Sequence, residues 1–178
     1  MAAVARLETG EAMGLLRRIV RHLWFPHVRA RRAFPAMALQ AIERAIGEAE
    51  AKHEGEIRFV LEAGLPVAWI AEGVRPNARA IDIFAQYRVW DTEHNSGVLI
   101  YLCFADRAVE IVADRGIHAR SGTQAWERIC RAMEAEFRQG RFEAGAVAGV
   151  QAIAAELAQH FPGTGAKQNE LPDRPVVL

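Results

Sequence analysis

The sequence predicts a small α/β sandwich, a mixed sheet covered by helices, and three observations carry that prediction. Helical and strand periodicities follow one another as helix, helix, strand, helix, strand, strand, helix, helix. The run Val98 to Phe104 is apolar throughout, so its strand is expected to be buried on both faces. The 178 residues, 51% hydrophobic and 25% charged, suffice for one globular domain. That composition excludes disordered, collagen-like and disulfide-framework classes.

Charge and targeting narrow the setting. Twenty-two Lys and Arg balance 22 Asp and Glu, so no nucleic-acid partner held by overall charge is expected. The balance conceals a split: residues 1–34 carry seven Arg against two acids, and the rest carries 15 basic against 20 acidic groups. The first 27 residues lack the continuous apolar core of a secretory signal, and no window approaches the ~18 apolar residues that span a bilayer. Cys103 and Cys130 fall at apolar positions and read as small core side chains. A cytoplasmic location is expected, with a peripheral position at the inner face of the membrane as its variant.

Residues 1–11 read as a flexible tail and 12–26 as a basic amphipathic helix. In the latter, Leu15, Leu16, Ile19, Val20, Leu23 and Trp24 recur in pairs every four residues, Arg17, Arg18, Arg21 and His22 fill the gaps, and Pro26 ends the pattern. Such a helix can pack on the body, lie on an anionic membrane surface or enter a partner's groove. In the last two cases Arg17, Arg18, Arg21 and Trp24 are the contact residues. Pro35 opens a second helix through Lys52, with an alanine-rich apolar face suited to a sheet. Glu56 to Glu62 is a short strand, and Gly64 to Pro76 an irregular connection. Asn77 is the expected N-cap of a third helix through about Arg88, with Ile81, Phe84 and Ala85 turned inward.

Next, Val98 to Phe104 turns at Ala105-Asp106-Arg107 and returns as Ala108 to Ala113. Asp106 is explained by turn chemistry. An antiparallel hairpin must bring the loop Asp91 to Ser96 and the segment Asp114-Arg115-Gly116 to one end of the sheet. Thr123 to Gln139 and Phe142 to His160 close the domain as long helices separated by Gly140. Gly145 and Gly149 imply close helix packing, and residues 162–178 read as a disordered tail.

No GxGxxG, Walker lysine, HExxH, CxxC pair, GxSxG elbow or kinase loop is present, and no organic cofactor is expected. One constellation remains, at the predicted hairpin end. Asp91, Glu93, Asn95 and Asp114 offer the oxygen ligands that suit Ca²⁺ or Mg²⁺. Such an ion could clamp a phosphate and activate water, with Arg115 as a forked donor and His94 as proton donor to the leaving group. Alternating acidic and polar residues before a buried strand are more often a solvated loop, and His94 more often a surface histidine. Glu62 falls at the opposite end if its strand runs parallel to Val98 to Phe104.

The strings Arg88-Val89-Trp90-Asp91-Thr92-Glu93, Asn95-Ser96-Gly97-Val98-Leu99-Ile100-Tyr101 and Val109 to Ile117, with Asp106-Arg107, Trp126 and Phe137 to Gly145, resemble the TPM domain family, also labelled TPM phosphatase. The likeness runs from about residue 31 to 161 and is nearest to short bacterial members. It implies a Rossmann-like α/β/α sandwich. Plant thylakoid relatives are associated with acid phosphatase activity and photosystem II repair, some relatives bind divalent cations, and LemA-type membrane proteins often accompany bacterial members. The resemblance therefore implies a metal-assisted phosphatase acting on phosphomonoesters, or alternatively a non-catalytic, cation-responsive module working with a LemA-type partner. One departure stands out: the family commonly has Asn directly before the strand-opening Gly, where this chain has Ser96, with Asn95 one position earlier. No residue matches a standard phosphatase nucleophile motif.

Overall fold

The computed structural model describes residues 9–24, 26–163 and 169–178. Its elements are α1 (Thr9–Leu23), α2 (Pro26–Ala33), α3 (Ala36–Glu50), β1 (Glu56–Glu62), α4 (Val67–Ala71), α5 (Pro76–Gln86), β2 (Gly97–Cys103), β3 (Ala108–Ala113), α6 (Arg115–Ser121), α7 (Thr123–Arg138), α8 (Phe142–His160) and β4 (Val176–Val177). The sheet order is β3-β2-β1-β4: β1 runs parallel to β2 and β4, and β2 antiparallel to β3.

Every residue of β1 and β2 is buried, and their alternating side chains feed two separate cores. Ile57, Phe59, Leu61, Val98, Ile100 and Leu102 face α3, α7 and α8, and pack with Ile42, Ile46, Trp126, Met133, Val150 and Ile153. Val60, Leu99, Tyr101 and Cys103 face the other layer, where Ile70, Ala80 and Ile83 of α4 and α5 meet them. This is an α/β/α sandwich, and the unbroken apolar run of β2 follows from burial on both sides.

The glycines of α8 act as the spacing implies. A Cβ on Gly145 would lie 2.7 Å from Glu136 Cβ, and one on Gly149 2.3 Å from Met133 Sδ, so α7 and α8 touch nearly backbone to backbone.

Several local expectations need correction. The amphipathic helix does stop ahead of Pro26, at Leu23, but Pro26 then opens a further helix, α2, where its missing N–H is no loss. The connection after Gly64 contains the short helix α4. Pro76, not the residue after Asn77, is the first residue of α5; of the residues expected inward Phe84 packs on the core, whereas Ile81 is 60% exposed, Ala85 is exposed too, and Ala80 and Ile83 are the buried ones. Asp114 caps an additional helix, α6, its Oδ1 accepting the Arg115 N–H at 2.7 Å.

The tail expected to be disordered from residue 162 is ordered at 162–163 and 169–178. Leu61 and Ala63 bond Leu178 through its N–H and C=O, at 2.8 and 3.3 Å. The buried Glu56 carboxylate accepts the N–H groups of Glu170 and Leu171. Composition misleads here because β1 is an open edge whose unpaired backbone groups need a partner. The 1–11 tail falls mainly on residues outside those described; α1 begins at Thr9.

Candidate functional site

The N-terminal end of β2 holds the residues singled out from sequence. Asp114 N–H donates to Gly97 O at 2.9 Å and Ile117 N–H to Asn95 O at 3.3 Å, so the loop and the segment after β3 do meet. Arg115 Nε donates to Asn95 Oδ1 at 3.1 Å. Asn95 itself sits in the left-handed region at φ 51°. Ser96, in the place of the family's usual Asn, is fully buried and bonds Glu54 O at 3.3 Å, a tie between loop and strand.

The carboxylates do not converge, however. Asp91, Glu93 and His94 are exposed and Asp114 is buried. Among the described residues the only His, Cys, Asp or Glu triad with ligand atoms within 4.8 Å of one another lies elsewhere. The backbone N–H of Glu93 donates to the Glu170 carboxylate of the tail. Asp114 Oδ2 is buried without a hydrogen-bond partner.

The opposite end, at the C-terminal ends of β1 and β2, is more densely built. The parallel register puts Glu62 there, beside Cys103. Tyr101 Oη donates to Glu62 Oε2 at 2.5 Å, and Arg79 Nε and Nη2 each reach the same carboxylate at 3.1 Å. Burial first, then Cys103 and Glu62, pushes the Tyr101 phenol far up, so it remains a donor.

Beside this group Asp106 anchors α1. It accepts Arg18 Nη2 at 2.8 Å, Arg18 Nε at 3.1 Å and Arg21 Nη2 at 3.1 Å, and His22 Nε2 lies 3.1 Å away. Leu65 N–H donates to His22 Nδ1 at 2.8 Å, which makes that nitrogen the acceptor and leaves the ring proton on Nε2, close to Asp106 but outside hydrogen-bond geometry. Burial alone would raise the Asp106 carboxyl; the His22 and Arg18 contacts outweigh it and hold the group well below the usual carboxylate range.

Sequence reasoning treated Asp106 as turn chemistry and missed this anchor. The signal was His22, a polar residue on the same side of the helix as Leu15 and Ile19.

His22, Cys103 and Asp106 are the triad just mentioned, and they do not fit a metal. With Nδ1 committed to an N–H donor, coordination through Nε2 would require a fully deprotonated imidazole. Burial pushes the Cys103 thiol up to about 12, which disfavours the thiolate a metal takes. Two arginines already neutralise the carboxylate.

A mixed sheet between two helical layers, with one parallel crossover and a terminal hairpin, defines the class: a small α/β/α domain with polar groups at both strand ends. The sequence profile of the TPM domain matches residues 30–156, and the chain belongs to the TPM domain family. The BA42 protein of the psychrophilic bacterium Bizionia argentinensis, solved by NMR, is 31% identical with a TM-score of 0.71 over 80% of this chain and 94% of that one. The N-terminal domain of a P. gingivalis protein, 16% identical over 77% of this chain and 88% of that one, has a TM-score of 0.58 and shares the fold. No curated protein matches significantly.

Proposed function

We propose that this chain is a non-catalytic docking module whose TPM domain is held on an anionic membrane surface by α1, ahead of the domain. One observation carries the reading: α1 has one broad apolar arc, and the body covers only one side of it. Leu15 and Ile19 are partly buried and pack against the core cluster beside α4, while Met13, Leu16, Val20, Leu23 and Trp24 remain 43% to 67% exposed. At 100° per residue those five form one stripe, with Arg17 and Arg21 along its edge. An apolar stripe bordered by cations suits a helix lying in the headgroup region of anionic lipid. Among the described residues no helix is long and apolar enough to cross a membrane.

Flotation of the full chain with phosphatidylglycerol-containing vesicles and with neutral phosphatidylcholine vesicles tests the reading. Binding to the anionic set alone, abolished by Leu16→Glu with Leu23→Glu, is the expected result. Absence of binding to either set removes it.

A second reading keeps the divalent-metal-assisted phosphatase, for which the support is the unpartnered Asp114 Oδ2 with Arg115 and Asn95 beside it. It requires Asp91 and Glu93 to close over a Ca²⁺ or Mg²⁺ ion. Hydrolysis of p-nitrophenyl phosphate that chelator and Asp91→Ala both abolish would establish it and overturn the non-catalytic reading. A LemA-type membrane protein is the protein partner to test by co-purification.

A further inference from the structure

Between Arg21 of α1, Pro26 and Arg29 of α2, the tip of the β2–β3 hairpin and the α7–α8 junction lies a cavity of about 520 Å³. Apolar side chains form the larger part of its wall. The buried Leu102 contributes, as do Phe104, Phe137 and Phe142, the last two stacked at 5.7 Å. The charged groups lining it are four arginines and one acid: Arg21 from α1, Arg29 from α2, Arg107 from the hairpin and Arg138 from α7, against Glu134. Glu134 is already engaged, its Oε1 accepting the Val109 N–H at 3.2 Å. Arg21 bonds Asp106, but Arg29, Arg107 and Arg138 have no ion-pair partner among the described residues.

All four arginines are solvent-exposed, so water and salt screen their mutual repulsion, and together they give the cavity a positive rim that suits an anion. Arg107 stands at φ 56° because it closes the hairpin turn, its N–H donating to Phe104 O at 3.2 Å, and that turn sets its side chain at the cavity. The volume lies in the ~300–1,000 Å³ range of small-molecule sites, and the place, beyond the C-terminal ends of parallel strands, is where open α/β sheets bind ligands. Arg21, Pro26 and Arg29 precede residue 30, where the family match begins, so this chain's own N-terminal segment supplies one wall.

We propose that the cavity binds an amphipathic anion, an acyl or aryl group ended by a carboxylate or comparable head. The apolar part lies against Phe104, Phe137 and Phe142, and the head among Arg29, Arg107 and Arg138. Such an anion can come from an anionic lipid or from a soluble acid. The proposal stands apart from membrane docking, because Met13, Leu16, Val20, Leu23 and Trp24 do not line the cavity.

Calorimetric titration of the full chain with decanoate below its micelle concentration, with acetate and with decanol tests it. Decanoate is expected to bind about tenfold more tightly than either control, since head and tail both contribute. Arg107→Gly combined with Arg138→Ala should weaken decanoate by about tenfold with the melting temperature unchanged or raised. No decanoate binding at millimolar concentration, or binding that decanol matches or that the double variant retains, overturns the proposal.

Vesicles identify the source once decanoate binds. If the double variant loses more phosphatidylglycerol-vesicle binding than Arg31→Ala with Arg32→Ala, an equal change of charge outside the cavity, the ligand is a lipid. Equal loss assigns a soluble acid. Failure of the vesicle experiment alone leaves the decanoate result standing.

Discussion

Asp106→Asn isolates the contact that holds α1 to the body. The wild-type carboxylate side chain is 7% exposed and accepts three nitrogens from Arg18 and Arg21 at 2.8 to 3.1 Å. Asparagine keeps the shape but removes the charge and turns an amide donor toward guanidinium groups. Breaking a fully buried ion pair costs about 3–5 kcal/mol. The Arg18 and Arg21 side chains retain 17% and 49% exposure, so solvent screens part of that, and about 2 kcal/mol is the expected loss. The loss falls on docking of α1 before global unfolding, since Leu15 and Ile19 are its other main anchors in the core.

Limited trypsin digestion reads it directly. Cleavage after Arg17, Arg18 or Arg21 requires the helix to open, and 2 kcal/mol corresponds to about a 30-fold faster cut there. Cleavage after Arg128 and Arg131 of α7 should keep its rate. An acceleration of α1 cleavage below about threefold would refute the assignment of Asp106 as the anchor.

The same carboxyl sets a pH window. Its folded pKa lies below the ordinary 3.8, so the unfolded chain takes up the proton first as pH falls. Anchoring is therefore complete above about pH 4 and lost on further acidification toward the folded value, which amide exchange of α1 at pH 5 and pH 3 should register. Gly145→Ala should cost about 2 kcal/mol, lowering the melting temperature by about 4–8 °C in a scan, because its Cβ meets Glu136 Cβ at 2.7 Å and a Phe137 ring carbon at 2.9 Å. Gly14→Ala, with nothing within 4 Å of its Cβ, should leave stability unchanged or slightly raised in the same scan. Burial pushes both Cys103 and Cys130 up to about 12, so native protein at pH 8 should react with a thiol reagent far more slowly than the same protein in guanidinium.

Elements whose own side chains define them were legible from sequence. β1 was read at its observed bounds, β2 and β3 within one residue, and α7 and α8 nearly so, because each carries a complete apolar pattern. What escaped depends on partners distant in the chain. The C-terminal segment has too little apolar content to declare itself, yet Leu61, Ala63, Glu56 and Arg58 supply the groups that order it. The candidate site shows the same limit. Pairing geometry correctly predicted that Asp91 to Ser96 meets Asp114 to Gly116, but loop side chains have no periodicity to reveal direction, and Asp91 and Glu93 point to solvent. Asp106 escaped because an Asp-Arg pair in a turn explains itself locally, while its partners Arg18 and His22 lie more than eighty residues earlier.

The family match covers residues 30–156, and the flanks complete what that segment leaves open. Without β4, the edge of β1 would present the Leu61 carbonyl and the Ala63 N–H, both now bonded to Leu178. Without α1, the layer holding Leu65 and Ile70 would lose the cover of Leu15 and Ile19, and Asp106 would lose the donors that depress it. These flanking contacts are structural before they are functional, which is why a chain beginning near residue 30 is a poor substitute for the whole in any assay of binding. The outward apolar stripe of α1 and the Arg21, Pro26 and Arg29 wall of the cavity lie ahead of that segment, so family membership by itself carries neither, and each has to be tested on this chain.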